Sequence, residues 1–342
     1  MKKAQRERVT VLDVAKKAGV SIATVSRSFT SPDVVRDDVR NNVLEIARKL
    51  GYSPNAAAKA FRLQKTHIVG AAIPTLDYAI FAKMISNFQE TLANFNYMTI
   101  VLSTGFDNTS ILDKVKLLVD RGAEALLLVG GLEDAELRKY VKGLTIPVVT
   151  TYSYLPDEIV PSIGFDNYAA TKSAMDYLLG LGHKEFAMIA ASPRGNDRQR
   201  VRIQAYKEAL QVAGAQGADR IVIRPYTIED GANAMRQIRD QYPSVTAVVC
   251  NADVFAFGAL TECKTMGISV PEDLSVTGFD DHDFTSRLDP PLTTISVPAR
   301  EMGTQAALAL HSALMDKRPI ASRCLDTTLR VRQSAVRPPS AK

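Results

Sequence analysis

The first fifty residues of the 342-residue chain carry apolar side chains at helical spacing. Thr10 precedes a first apolar stripe as an N-cap, and Gly19 ends it. Ser21 caps a second short helix, and a longer apolar face predicts a third helix that begins at Ser31 and stops at Gly51. Two short helices joined by a glycine-containing turn form a helix-turn-helix, and the third helix completes a three-helix core.

After residue 66, short apolar runs alternate with segments of helical spacing. The runs typical of strands form two series, at 68–73, 98–102, 125–129 and 147–151, then at 186–190, 221–223, 247–250 and 274–278. The helical segments include 79–95, 169–181, 198–213, 231–241 and 254–266. This alternation predicts an α/β core of two similar subdomains, in which helices cover parallel sheets. Ligands of such folds bind beyond the carboxyl ends of the strands, so we expect a ligand cleft between the subdomains.

Charge is distributed unevenly along the chain. The net charge is +5, from 42 Lys and Arg against 37 Asp and Glu. Residues 1–65 carry 14 basic and 6 acidic residues, a net of +8, whereas residues 66–342 carry 28 and 31, a net of −3. A basic head on a mildly acidic body is typical of a nucleic-acid-binding segment joined to a domain with another task.

Several classes of protein lack support in the sequence. No apolar stretch reaches the roughly 18–20 residues of a membrane span, and MKKAQRERV has no apolar run of a secretory signal. The three cysteines have no CxxC spacing, which favours a reducing compartment, and we expect a cytoplasmic protein. Phosphate-loop, nucleophile-elbow and zinc motifs are absent. We therefore predict no catalytic residue, metal or cofactor, and a sugar-modifying enzyme with a DNA-binding tail stays open only as a remote alternative.

Three segments of the sequence together resemble one family of proteins. They are VTVLDVAKKAGVSIATVSRSF at residues 9–29, KLGYSPNAAAKAFR at 49–62 and IVGAAIP at 68–74. Their combination resembles the LacI/GalR family of bacterial transcription repressors, and the resemblance continues to residue 332. It implies a helix-turn-helix domain, a hinge helix and a core similar to periplasmic sugar-binding proteins. It also implies a homodimer that binds a pseudo-palindromic operator in double-stranded DNA.

The second helix of a helix-turn-helix lies in the major groove, with its first residues against base edges. The resemblance places Ile22 and Ala23 at the positions that choose between operators, where apolar side chains exclude bases sterically or contact a thymine methyl. Arg27 is predicted to hydrogen-bond a guanine edge, with a phosphate contact as the alternative. The other predicted DNA contacts of this domain are hydroxyl-bearing residues: Thr10, Ser21, Thr24 and Ser26.

The alanine-rich segment after Pro54 is the predicted hinge helix, although its composition alone also fits a simple connector. It is about two turns long, so we expect it to form only when something holds it. In the family, a leucine of this helix wedges a central base step from the minor groove. This chain has Phe61 there, a bulkier wedge that could change the cost of the kink. The other predicted contacts of the segment are Asn55, Ala58, Lys59 and Arg62.

By the same resemblance, the effector cleft draws side chains from both subdomains. Arg202 is the predicted clamp on sugar hydroxyls or an acid group, and Asp280, at a strand end, is predicted to accept hydrogen bonds from the ligand. A solvated basic face is the alternative for Arg202, and an N-cap is the alternative for Asp253. The remaining predicted cleft residues are Asp77, Phe81, Tyr152, Asn196, Arg198, Tyr226 and Asp253.

Tyr152 departs from the family pattern, because better-known members carry aspartate at this position. The missing carboxylate, together with Arg198 and Arg202, favours a sugar acid such as gluconate over a neutral hexose held by two acids. The sequence leaves the sign of regulation open. A repressor released by its effector, a repressor that needs a co-repressor and an activator would all use the same parts.

The expected domains are a helix-turn-helix over 1–52, a hinge helix and linker over 53–66, a core over 67–335 and a flexible tail over 336–342. Within the core, the first subdomain is expected to contain 67–163 and 293–299, and the second to contain 164–292 and 300–335. Dimer contacts are expected from the helix at 79–95 and from part of the second subdomain. The C-terminal segment lacks the leucine heptads of a tetramer-forming coiled coil.

Overall fold

A computed structural model describes residues 9–53, 65–107 and 109–338 of the chain. The chain divides into two compact units, Met1–Thr66 and His67–Lys342. The boundary lies where the sequence predicts that the core begins. Each unit has a hydrophobic core of its own.

The first unit is the predicted helix-turn-helix domain. Its helices are α1 (Val11–Ala18), α2 (Ile22–Thr30) and α3 (Asp37–Leu50). Gly19 ends α1 in the left-handed conformation, with a φ of 67°, which a residue without a Cβ adopts at little cost. The buried core of the unit joins all three helices and consists of Val14, Ala15, Val25, Val43 and Ala47.

The start of α3 differs from the prediction. Residues Pro32–Val34 form a short 3-10 turn, and α3 begins only at Asp37. Asp37 and Asp38 occupy its first turn, where the helix dipole favours negative charge. Val34, which lies before the helix, is 67% exposed. An apolar residue in this turn therefore extended the apparent helical pattern beyond the helix itself.

The second unit contains two six-stranded sheets, and the first sheet is parallel throughout. The strands are β1 (Ile68–Ile73), β2 (Met98–Ser103), β3 (Ala123–Val129), β4 (Val148–Thr151), β5 (Ser162–Gly164) and β11 (Arg323–Cys324). Their order across the sheet is β11-β5-β4-β3-β1-β2. The helices of this subdomain are α4 (Ala79–Ala93), α5 (Ile111–Asp120), α6 (Ala135–Lys142) and α11 (Ala299–Asp316).

The second sheet has the order β12-β10-β9-β8-β6-β7, in which only the β12–β10 pair is antiparallel. Its strands are β6 (Phe186–Ala190), β7 (Ile221–Ile223), β8 (Ala247–Cys250), β9 (Ser275–Asp280), β10 (Thr293–Ser296) and β12 (Thr328–Arg330). Its helices are α7 (Asn167–Gly180), α8 (Asp197–Ala213), α9 (Ile228–Gln241) and α10 (Asp253–Thr265). All five residues of β6 are buried, as expected of a central strand covered on both faces. The predicted α/β core of two parallel-stranded subdomains is confirmed.

The assignment of the C-terminal third to subdomains needs correction. The segment 293–299, expected in the first subdomain, contains β10, which pairs with β9 in the second sheet. The segment 300–335, expected in the second, contains most of α11, which packs on α4, and β11, which pairs with β5. Only β12 and the residues after it return to the second sheet. Pairing between strands distant in sequence decides these crossings, and no local pattern encodes it.

The C-terminal segment is also docked where a flexible tail was expected. The backbone oxygen of Val336 bonds His183 Nε2 at 2.8 Å, and the Val336 N–H donates to the Ser275 hydroxyl at 3.1 Å. Residues 339–342 lie outside the described residues. At least Val336 of the expected tail is therefore part of the second subdomain.

Candidate functional sites

The outward face of α2 carries the side chains predicted to meet DNA bases. Ile22 is 48% exposed at the first position of the helix, and Ala23 and Arg27 are exposed as well. Val25 and Ser28 point inwards and are buried. The helix therefore presents two apolar residues near its N-terminus and a basic residue one turn later, which is the arrangement needed to enter a major groove.

Hydroxyl groups at the starts of α1 and α2 cap these helices. The Thr10 hydroxyl donates to Asp13 at 2.7 Å and accepts from the Asp13 N–H, and this capping box lowers the pKa of Asp13. Ser21 accepts from the Thr24 N–H at 3.0 Å, and the Ser21 and Thr24 hydroxyls lie 2.9 Å apart. Phosphate contacts by these residues, and by Ser26, stay predictions. For Thr10, Ser21 and Thr24, such contacts would share hydroxyls that already form hydrogen bonds at the helix starts.

The predicted hinge contacts fall outside the described residues. They are Asn55, Ala58, Lys59, Phe61 and Arg62. Their roles stay predictions from the sequence.

The second unit holds a cavity between its two subdomains. In this conformation the cavity has a volume of about 30 Å³, which is room for about one water molecule. A metabolite can therefore enter only if the subdomains or the lining side chains move. The lining residues are Tyr78, Ile80, Phe81, Phe106, Tyr152, Arg198, Gln199, Arg202, Tyr226, Ala252, Val254 and Asp280.

Arg202 is the most firmly held of the charged lining groups. It is 5% exposed, its Nε donates to Asn167 Oδ1 at 2.8 Å, and one terminal nitrogen donates to the Asn251 backbone oxygen at 3.0 Å. Its guanidinium carbon lies 3.5 Å from the centroid of the Phe279 ring, a cation–π contact. The structure therefore gives a buried, oriented guanidinium and not the solvated basic face that the sequence left open.

Asp280 supplies the carboxylate of the cavity at the end of β9. Its backbone φ is 115°, which non-glycine residues rarely adopt. Burial raises the pKa of Asp280 to about 7, although the nearby Arg202 guanidinium favours the charged form. Near neutral pH this group can therefore either accept or donate a hydrogen bond to a ligand.

Arg198 brings a second buried guanidinium to the same wall. One terminal nitrogen donates to Asp197 Oδ1 at 2.8 Å, and the other terminal nitrogen is buried without a hydrogen-bond partner. Asp197 in turn accepts from the Ser153 hydroxyl of the first subdomain at 2.6 Å. The arginine approaches the first subdomain so closely that a Cβ on Gly130 would lie 1.9 Å from its paired nitrogen. The Asp197–Arg198 pair thus links the two subdomains and leaves one terminal NH2 group of the guanidinium for a ligand acceptor.

Aromatic rings fill most of the mouth of the cavity. Phe106 from the first subdomain stacks on Tyr226 from the second, with 4.4 Å between centroids and 26° between planes. Tyr78 lies 5.5 Å and 5.7 Å from these two rings. The Tyr226 hydroxyl accepts from Gln199 Nε2 at 2.6 Å, and burial raises the pKa of Tyr226 to about 12. Phe106 and Tyr226 also line a second pocket, of about 560 Å³.

Tyr152 lines the cavity from the first subdomain in a strained backbone conformation. Its φ is 70°, a left-handed value that costs a β-carbon-bearing residue roughly 1–3 kcal/mol. Its ring lies 4.9 Å from Phe81, and burial raises its pKa well above the usual value. Phe81 is itself 7% exposed in α4.

Six of the nine predicted cleft residues share the cavity wall, and three do not. Asp77 is exposed on the loop before α4, and Asn196 caps α8 by accepting from the Gln199 N–H. Asp253 is fully buried beyond the wall, where it accepts from the Thr294 hydroxyl at 2.6 Å and from the His282 N–H at 2.8 Å. It bridges β10 to the loop after β9, and the N-cap of α10 is Ala252 instead. Ligand contacts by these three residues stay predictions, without support from the wall of this cavity.

Sequence reasoning missed several residues of the wall. Tyr78 and Phe106 lie in loops at the ends of β1 and β2, the strand edge where ligands of this fold bind, and that position was the available signal. Gln199 stands between charged residues in the sequence, and no local feature indicated that it belongs to the wall. It is 1% exposed and joins Tyr226, Asn251 and the Ala191 N–H.

The part of the chain that the structure describes contains neither a metal site nor a membrane-spanning helix. It holds no group of three or more His, Cys, Asp or Glu residues arranged to bind a metal ion. Among the same residues, no helix combines the length and apolar character needed to cross a membrane.

The fold and these two sites define a helix-turn-helix DNA-binding unit followed by a core of the periplasmic-binding-protein type. The profile described as "Bacterial regulatory proteins, lacI family" matches residues 10–55, and the profile "Periplasmic binding protein-like domain" matches residues 175–335. The HTH-type transcriptional repressor CytR of Escherichia coli K12 is 33% identical over 334 residues, which is 97% of this chain and 98% of that protein. The chain belongs to the lacI family of bacterial regulatory proteins.

Solved structures agree with the fold. The lac repressor dimer bound to operator and the anti-inducer ONPF superposes with a TM-score of 0.86 at 23% identity, covering 96% of this chain and all of that one. The complex of the transcriptional regulator CelR with cellobiose gives a TM-score of 0.69 at 27% identity, over 96% and 100% of the two chains. Its membership of the lacI family makes the chain a DNA-binding transcriptional regulator. Repressors of this family bind operator DNA and small-molecule effectors and act as dimers.

Proposed function

We propose that this chain is a repressor whose operator affinity is set by a small carbohydrate-type metabolite held in the cavity. The observation that carries the proposal is the cluster of Arg202, Asp280 and Gln199 inside aromatic walls. Sugars present hydroxyl groups along their edges and apolar C–H faces, so they match polar groups placed between rings. Relatives whose names include a sugar complex, such as the CelR–cellobiose complex, support this class of effector.

A sugar acid fits the charges of the wall. Arg202 and the unpartnered nitrogen of Arg198 offer cationic donors, and a tyrosine stands at position 152, where the family resemblance puts a carboxylate. Guanidinium groups bind carboxylates with charge-assisted hydrogen bonds, which are the stronger kind. We therefore propose an aldonate such as gluconate ahead of a neutral hexose.

A second candidate is a sugar that carries a flat ring, as a nucleoside does. Five aromatic side chains line the cavity, and the Phe106–Tyr226 stack already provides two nearly parallel ring faces from opposite subdomains. A planar ring that separated these faces would replace one stacking contact by two. A sugar without a planar ring would cover the ring faces of Phe106 and Tyr226 less completely.

Isothermal calorimetry on the full chain separates these effector classes. The titrants are glucose, gluconate, ribose and uridine, and the variant Arg202→Gln tests the clamp. Loss of the charged donor should weaken binding of gluconate by at least about tenfold. Arg200→Gln is the matched control, because Arg200 lies on the same helix but is exposed and pairs with Glu133. Tight binding of glucose without any response to gluconate would rule out the sugar-acid preference.

The operator side of the proposal is a dimer on a pseudo-palindrome, with one helix-turn-helix on each half-site. Selection from a randomised duplex pool identifies the operator, and its two-fold symmetry tests the arrangement. Phe61→Ala tests the proposed wedge, because losing the wedge should weaken selected DNA far more than random DNA. Equal loss on both DNAs would contradict a wedge role. A protein that binds chromosomal operators works in the cytoplasm, which is the location we propose.

Operator titration with and without each titrant decides the sign of regulation. We propose release from the operator on effector binding, as for an inducible repressor. Tighter operator binding in the presence of the metabolite would instead establish co-repression. Transcription assays with the selected operator placed upstream of a promoter separate both from activation.

A further inference from the structure

Tyr152 joins the cavity to two helices of the first subdomain. Its ring lies in the cavity wall beside Phe81. Its hydroxyl donates to the backbone oxygen of Ile80, in the first turn of α4, at 2.7 Å. Its backbone N–H points at the sulfur of Met302, in α11, at 3.2 Å. One residue therefore contacts the ligand space, α4 and α11 at once.

The backbone carbonyl of Tyr152 is tied to the ligand-binding arginine of the other subdomain. Asn167 Nδ2 donates to this carbonyl at 2.8 Å, and Asn167 Oδ1 accepts from Arg202 Nε at 2.8 Å. Asn167 is 4% exposed, so neither bond competes freely with water. If Arg202 moves when a ligand binds, the side-chain amide of Asn167 transmits that movement to the backbone of Tyr152.

The two helices that Tyr152 contacts pack tightly against each other in one hydrophobic core. Gly303 of α11 approaches α4 so closely that a Cβ there would lie 2.1 Å from the backbone oxygen of Met84. Packing at this density transmits a displacement instead of absorbing it. Helix α4 also follows directly on β1, the first strand after the boundary at Thr66.

We propose that Tyr152 is a positioning residue that couples an occupied cavity to α4, and that its hydroxyl bond to Ile80 carries this coupling towards operator affinity. The proposal rests on the proposed function, since it needs an effector in this cavity. The left-handed backbone of Tyr152 agrees with such a role, because a strained conformation persists only where several contacts fix it. Here those contacts come from Ile80, Met302 and Asn167.

Tyr152→Phe tests the hydroxyl and keeps the ring in the wall. Tyr206→Phe is the matched control, because the Tyr206 hydroxyl is equally inaccessible and donates to the backbone oxygen of Gly217, at 2.9 Å, within the second subdomain. Hydrogen exchange of the full chain without ligand measures the local effect. Exchange over residues 80–84 should be faster in Tyr152→Phe and unchanged in Tyr206→Phe.

The coupling itself is the ratio of operator affinities with and without a saturating probe. The probes are gluconate and uridine, and the operator is the selected duplex. Tyr152→Phe should reduce this ratio at least about fivefold, and calorimetry sets the probe concentration that saturates each variant, so that a change in the dissociation constant of the probe does not enter the ratio. Tyr206→Phe should keep the wild-type ratio.

Each outcome decides either this inference or the proposed function. Wild-type coupling in Tyr152→Phe, or equal loss of coupling in both variants, overturns the role of Tyr152. Failure of both probes to bind the wild-type chain contradicts the proposed effector class instead. In that case the hydrogen-exchange comparison decides the inference, and equal exchange over residues 80–84 in Tyr152→Phe and wild type overturns it.

Discussion

Asp280 shows how one residue of the cavity wall opposes the stability of the fold. Burial raises its pKa to about 7 in the folded chain, whereas an unfolded aspartate has its ordinary pKa near 3.9. Between these two values the folded chain binds more protons at this position than the unfolded chain. The contribution of Asp280 to the free energy of unfolding is therefore fully present below about pH 4 and is lost as the pH rises through about 7.

Asp280→Asn should flatten the pH dependence of stability over this window. The free energy of unfolding of the wild-type chain should fall between pH 4 and 7, relative to the variant, by about 4 kcal/mol, because each unit between the folded and unfolded pKa corresponds to about 1.4 kcal/mol. Urea unfolding at a series of pH values measures this difference. Parallel profiles for the two chains would show that Asp280 ionises normally. The variant should also lose effector binding, because its amide replaces the carboxylate in the cavity wall.

The same scale shows which site residues a sequence can reveal. Arg202 and Asp280 were predictable because strand ends and a family motif mark them. Phe106 was not, since nothing local in its loop indicates that it stacks across the cleft on Tyr226. For Asp253, in contrast, local sequence features indicated a ligand contact that the cavity wall does not support. It has the residue type and the strand-end position of a ligand contact, yet its two oxygens are taken by Thr294 and His282.

Helix α2 is the element whose surface should determine operator choice. Arg27→Ala should weaken the selected operator by about 1–3 kcal/mol and relax its sequence preference at one position of each half-site, if Arg27 bonds a guanine. Arg36→Ala is the matched control, because Arg36 is an exposed arginine of the same unit that pairs with Asp38. Competition binding with single-base operator variants measures both. A uniform loss over all sequences would assign Arg27 to a phosphate instead.

Gly303 allows α11 to approach the backbone of α4 closely. Gly303→Ala would place a Cβ 2.1 Å from the Met84 backbone oxygen, and pushing the helices apart should destabilise the core by about 1–3 kcal/mol. Gly180→Ala is the matched control at the end of α7, where an added Cβ meets nothing within 4 Å. There, alanine should stabilise by up to about 1 kcal/mol. Thermal unfolding compares the two, and equal shifts would deny the close contact.

Elements with a strong apolar pattern could be predicted, and elements made by pairing could not. The runs at β1, β6 and β8 are buried on both faces and stand out in the sequence. In contrast, β11 and β12 are strands of two and three residues that lie mostly on the surface. They exist because β5 and β10 offer them an edge. The same dependence on distant partners explains why the C-terminal crossings between subdomains were misassigned.

At the scale of the whole molecule, the division of charge predicts two different responses to salt. The first 65 residues hold a net charge of +8 and supply the predicted phosphate contacts, so operator affinity should fall steeply with salt, with a logarithmic slope of about −0.9 per phosphate neutralised. The two arginines of the cavity, Arg198 and Arg202, are buried and held by hydrogen bonds to neighbouring groups. Salt screens such groups weakly. Effector affinity of the DNA-free chain should therefore change little over the same range.

Thermodynamic linkage then requires that effector binding and operator binding change each other's affinity equally. If the effector changes operator affinity by some factor, the operator must change effector affinity by the same factor, typically about 5–150-fold. Calorimetry of the effector on the free chain and on the operator complex gives one factor, and operator titration with and without effector gives the other. Both should agree at each salt concentration, although operator affinity itself varies widely. Disagreement would mean that the chain changes its state of association during the titrations, because a dimer that stays intact obeys this equality.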